Sequence, residues 1–186
     1  MEELNKMDLS KEFKDLPENF IVSVIVPTDN YEEVNMHILN RFIGEEDKHG
    51  IYITLNRPYD NIIELMKKDK IDIKKLSFID CISKEIKKTK GNVDCIFVRS
   101  PADLTEIAVA LDDLFERNKH GFIFFDSLDT LLFYNKLDRV IKFIHFITGK
   151  MRIYDIKGIL LGLHEKTTEE LIGEIAPFTD KIIKLA

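Results

Sequence analysis

One stretch limits the fold more than any other, Gly121 to Leu132, which reads GFIFFDSLDTLL. Four apolar residues in succession, Phe122 to Phe125, leave no polar face, so a strand formed there has to be covered on both sides. Such a strand belongs in a parallel sheet between two layers of helices. The run stops on a carboxylate, Asp126, and Ser127 then leads into a helical pattern. In an open parallel sheet the carboxyl ends of the strands face a crevice between helices, where ligands bind. An aspartate there has two readings: it caps the next helix, or it faces a ligand.

Similar runs recur along the chain. Phe20 to Val26 is β-branched and ends at Pro27, and Ile51 to Leu55, residues 76–82, 93–98, Gly158 to Leu163 and Lys181 to Leu185 complete a set of seven expected strands. Helical spacing fills the intervals. Val34, Ile38, Leu39 and Phe42 follow the capping-type residues Thr28, Asp29 and Asn30; Pro58 opens a helix with Ile62, Ile63 and Met66 on one side. Ser100-Pro101-Ala102-Asp103 has the form of a helix start, with Ser100 as cap, and one long helix is expected from Asp126 to about Arg152. In that helix Phe143 and Phe146 widen the apolar stripe beyond what a sheet face needs, which suits either a deep core or a neighbouring subunit. The expected architecture is α/β, three layers with a mainly parallel central sheet: an N-terminal arm (1–19), then a single domain (20–186).

Length bounds this to one sizeable core. No run of eighteen or so uncharged apolar residues occurs and the N-terminus is charged, so the expectation is a soluble cytoplasmic protein. Cys81 and Cys95 sit inside apolar runs, as buried reduced thiols do. The five histidines lack zinc-site spacing, and no metal is expected. Residues 67–90 hold nine lysines against four acids in a chain of net charge −6. That strip is either a solvated surface or a place for phosphate backbone, with Lys84, Lys87, Lys88 and Lys90 as the contacts.

The segment from Ser100 to Asn135, SPADLTEIAVALDDLFERNKHGFIFFDSLDTLLFYN, resembles archaeal KaiC-like members of the RecA superfamily, with a Ser-Pro helix ahead of a strand ending in Asp-Ser-Leu. The likeness runs on into GILLGLH and back to YITLNRPYDNII. It implies the RecA-like topology of P-loop NTPases, ATP binding and hydrolysis in rings or filaments, and a Walker B role for Asp126 beside Ser127, holding the water shell of Mg²⁺.

The residues do not support the activity. A phosphate loop needs glycines for close backbone approach and a lysine for the β and γ phosphates. After Val26 the chain reads PTDNYEEVNMHI; the first glycine of the sequence is Gly44, and no lysine lies between Lys14 and Lys48. Asp29, Glu32 and Glu33 stand where polyphosphate would lie. Two like charges about 4 Å apart repel by about 4 kcal/mol at an effective dielectric near 20, against about 0.3–1 kcal/mol that a helix N-terminus offers an anion. The family's catalytic acid beyond the second strand is replaced by Asn56-Arg57, neither of which is a general base. Only Asp126 and Ser127 remain, as a vestige, with the expected role of capping the turn into Asp129 and Thr130 or bonding the neighbouring loop.

The leading expectation is therefore a non-catalytic, KaiC-like domain, with no catalytic residue and no cofactor, that binds a protein partner or itself, in a regulatory role suggested by relatives in archaeal signalling or motility. The rival is a nucleic-acid module resembling recombinase paralogues and using the lysine strip, which lacks interleaved aromatics for base stacking. A third reading is an enzyme at the strand-end edge shared by Asp126 and His164.

Overall fold

The computed structural model describes residues 9–86, 94–117 and 120–185. Seven strands form one sheet: β1 (Ile21–Val26), β2 (Gly50–Thr54), β3 (Leu76–Asp80), β4 (Cys95–Phe97), β5 (Phe122–Asp126), β6 (Lys157–Leu163) and β7 (Lys181–Lys184). Their order is β4-β3-β2-β5-β6-β1-β7, and every described pairing is parallel. The expected strands all occur, shifted at their ends by a residue or two.

Because strand side chains alternate, even an all-apolar run divides between two cores. Ile123 and Phe125 of β5 join Ile51, Ile53, Ile79 and Leu160 on one face. That face is covered by α5 (Leu104–Arg117), α6 (Leu128–Tyr134), α7 (Leu137–Ile153) and α8 (Lys166–Ile175). Phe122 and Phe124 point the other way, with Tyr52, Phe78, Val24 and Leu161, beneath α2 (Tyr31–Asn40) and α3 (Tyr59–Lys68). Each fully buried side chain of this size contributes about 1.5–3 kcal/mol, so β5 anchors both layers. The short helix α1 (Leu9–Glu12) leads to Phe13, which packs on Phe20 and Phe42, and Lys181 pairs with Glu12 across 2.7 Å. A second four-residue helix, α4 (Ser83–Ile86), follows β3.

Three expectations need correction. The long helix from Asp126 is two helices, broken at Asn135, whose backbone turns extended while its side-chain Nδ2 donates to the carbonyls of Leu131 (3.2 Å) and Pro101 (3.0 Å). An asparagine that finds carbonyls in this way competes with continued helix. The cap of α5 is Asp103, not Ser100: Asp103 Oδ1 accepts the Glu106 N–H at 3.0 Å, and Ser100 only closes the preceding turn by accepting from the Ala102 N–H at 3.3 Å. Thr28, Asp29 and Asn30 form a single 3₁₀ turn ahead of α2, and Asn30 stands at the N-cap position of α2 without a side-chain cap bond.

The pairing of β2 with β5 sets Gly50 opposite Phe122, and a Cβ on Gly50 would lie 2.2 Å from the tip of that ring. Phe122 in turn packs on Phe42 at 5.4 Å, so the ring has nowhere to go. Gly50→Ala is expected to destabilise by about 1–3 kcal/mol through overpacking. Gly149→Ala, on α7 with nothing within 4 Å of the added atom, is expected to stabilise by about 0.8–1 kcal/mol. Urea denaturation of both variants checks the register; equal effects would contradict it.

Candidate functional site

Asp126 ends β5 at the carboxyl edge of the sheet, the place where a ligand-bearing carboxylate would stand. It is buried, 2% exposed, and turned entirely inward. Tyr31, from the first turn of α2, donates its hydroxyl to Oδ1. Tyr52, on neighbouring β2, donates to Oδ2, as does Asn35 Nδ2 at 3.1 Å. Asn56, from the turn after β2, reaches Oδ1 at 3.4 Å and Ser127 Oγ at 3.0 Å, and accepts the Thr130 hydroxyl. The Asp126 carbonyl accepts the Leu55 N–H at 2.7 Å. The peptide bond between Asp126 and Ser127 is cis.

The elements that bring these groups together follow from simple periodicities. Tyr31 and Asn35 are four apart on α2 and share a face. Tyr52 and Phe124 are register partners whose rings stack at 5.3 Å, and Asp126, two residues beyond Phe124, lies on the same side of the sheet. Burial raises the Asp126 carboxyl above its usual range, and the donors Tyr31, Tyr52 and Asn35, with the charge of Arg57, pull it back. Burial, and then the Asp126 charge, push both tyrosine hydroxyls well up, so they stay protonated donors.

These residues do not fit a hydrated Mg²⁺. Both carboxylate oxygens are taken by neutral donors, and the cavity beside Asp126, among Tyr31, Asn35, Asn56 and Arg57, measures about 10 Å³. A single water needs about that much. The 3₁₀ turn at Thr28–Asn30 follows directly on Pro27, and Glu32 is held by Arg57 at 2.8 Å. At the first strand–helix junction Tyr31 reaches into this crevice with its hydroxyl on Asp126.

Asp126 thus bonds the neighbouring loop, as one of its two expected roles had it, through Asn56. It makes no bond to Asp129 or Thr130. Asp129 serves elsewhere, accepting the Leu163 N–H at 2.8 Å and the Thr168 hydroxyl. His164 does not join Asp126: it is exposed and lies 3.1 Å from Glu169. Lys84 of the basic strip is paired with Glu106 at 2.7 Å, while Lys87, Lys88 and Lys90 lie outside the described residues. Cys81 and Cys95 are free and buried, and burial raises both thiols. Among the described residues no cluster of His, Cys, Asp and Glu could hold a metal, and no helix is long and apolar enough to cross a membrane.

The sequence profile of a family of unknown function, DUF7504, matches residues 23–185. The chain belongs to that family. No curated protein matches it. Among solved structures, this DUF7504 chain is similar to the KaiC-like protein PH0186 from the hyperthermophilic archaeon Pyrococcus horikoshii OT3, with a TM-score of 0.61 at 14% identity over 91% of this chain and 72% of the other. That likeness establishes a KaiC-like, RecA-type α/β fold.

Tyr31, Asn35 and Tyr52 escaped the sequence reading because the β2–β5 pairing and the crossing of α2 over that edge bring them to Asp126, while Asn56 was read only as the replacement of a catalytic acid. Their hydrogen bonds yield a signed pH dependence. The raised Asp126 value means that the fold favours the protonated acid, so that contribution is full below about pH 4 and lost as pH rises through the folded value. A donor to the ionised form acts oppositely. Tyr52→Phe is expected to cost about 1.5–3 kcal/mol where Asp126 is ionised and the bond goes to a charged acceptor, and less at acid pH once Asp126 is protonated. Denaturation at neutral and acid pH checks this, and an equal cost at both would contradict it.

Proposed function

We propose that this chain is a non-catalytic member of the KaiC-like fold, a protein-interaction module with a regulatory role, in which the nucleotide crevice has become part of the core. The observation that carries this is the saturation of Asp126 by Tyr31, Tyr52, Asn35 and Asn56. A carboxylate with both oxygens committed has no lone pair directed at a metal's water shell, and Glu32, the other carboxylate lining the cavity beside it, is paired with Arg57. The junction after Val26 supports the same reading, since Pro27 and the 3₁₀ turn supply none of the glycines that close backbone approach to phosphate needs. A fold kept intact while its catalytic crevice is filled is one retained for its surfaces. The lysine-strip and Asp126–His164 readings gain no support: Lys84 is engaged by Glu106, and His164 is turned to Glu169.

Titration calorimetry with ATP and Mg²⁺ is expected to give no heat of binding at submillimolar ligand, and phosphate release is expected to stay at background in the wild type and in Asp126→Ala alike. Micromolar binding, or turnover lost in Asp126→Ala, would overturn the proposal.

A further inference from the structure

We propose that the groove between α5 and α7 receives an acidic amphipathic helix of a partner protein. This deepens the interaction-module reading above and rests on it. The two helices cover the same face of the sheet and are tied at their C-terminal halves by the Lys150–Asp112 ion pair and by Phe115 stacked on Tyr154 at 4.8 Å. Toward their N-terminal halves lies a groove of about 390 Å³. Its walls are Leu104 and Ala108 from α5 and Phe143 and Phe146 from α7, with Arg139 and Lys142 among them. Phe146 is 48% exposed. Water in contact with such side chains is what burial under a partner removes.

The occupant's charge follows from the cations. Arg139 and Lys142 are exposed and have no ion-pair partner among the described residues; Lys150, two turns further along the same helix, has Asp112 and stands over the Phe146 ring at 4.8 Å. The open end of the groove is therefore apolar at its floor and positive at one wall. The lining residues span one to two helical turns, roughly 6–11 Å at 1.5 Å per residue, which suits apolar anchors at i, i+3 or i+4 and i+7 of a docked helix with carboxylates toward α7. A nucleic-acid strand fits worse, because Asp112, Asp113 and Glu116 line the continuation of α5.

The test uses the full chain and two fluorescent synthetic helices with leucine at that spacing, one carrying glutamate and the other lysine at the remaining positions. In anisotropy titrations the glutamate helix is expected to bind and the lysine helix not. Phe146→Ser, and the double change Arg139→Glu with Lys142→Glu, should each weaken binding at least about tenfold, as loss of an interface anchor does. Lys67→Glu with Lys68→Glu, on the opposite helix layer, should change nothing. Circular dichroism confirms that each variant is folded. Failure of the glutamate helix to bind, or equal binding of both helices, would overturn the proposal. So would binding of single-stranded oligonucleotide lost in the same variants, or a dimer mass that Phe146→Ser abolishes, which would assign the face to a second copy. ATP titration of the same samples separates the failures: a silent peptide without ATP affinity removes only the groove, whereas ATP affinity removes the interaction-module reading.

Discussion

A carboxylate taken out of water is the constraint around which this fold closes. The effective penalty for burying an ion is several kcal/mol, and it is offset only when its lone pairs are satisfied. Asp126 meets that condition with hydroxyl and amide donors from three separate elements: α2, β2 and the turn that follows β2. The same bonds that solvate the acid tie α2 down onto the sheet, so a group placed where a ligand would bind acts as an internal fastening. Charge-assisted bonds of this kind are about twice as strong as neutral ones. Asp80, at the end of β3, repeats the device with different partners, accepting the N–H groups of Tyr59, Ile82 and Ser83 at 2.7–2.8 Å and so fixing the starts of α3 and α4.

That arrangement depends on sheet order. Only because β2 lies beside β5 does Tyr52 reach the Asp126 oxygens, and only because α2 crosses that edge do Tyr31 and Asn35 arrive from above. The crevice at the carboxyl edge of a parallel sheet is usually kept open by glycine-rich turns. Here Pro27 and a 3₁₀ turn shorten the approach, and a tyrosine ring occupies the space. Chemistry and shape thus agree: both carboxylate oxygens are bonded, and the room beside them is about that of one water.

Much of the fold was legible because fully buried parallel strands leave apolar runs that few other elements produce, and FIVSVIV, FIFFD and GILLGL each became a strand. The lack of glycine and lysine just after Val26 was likewise a local fact of the sequence. What local pattern could not supply was the break at Asn135, which has neither proline nor glycine and depends on the distant carbonyl of Pro101. The cap at Asp103 was hidden behind a Ser-Pro pair that fits the usual signature equally well. Phe143 and Phe146 read alike by helical spacing and both line the groove beside α5, yet one is buried and the other half exposed, a difference that helical spacing alone does not carry. The partners of Asp126 were out of reach for the same reason: they are set by pairing between strands some 70 residues apart, as Tyr52 and Asp126 are.

The most direct measurement of the central claim is the carboxyl ¹³Cγ resonance of Asp126 in the folded protein, followed through acid titration with and without millimolar Mg²⁺. A carboxylate sealed by tyrosine and asparagine donors should titrate above the ordinary aspartate range and be indifferent to the metal. A resonance that titrates in the ordinary range, or that shifts and broadens when Mg²⁺ is added, would mean that Asp126 is open to solvent and still a metal-site residue.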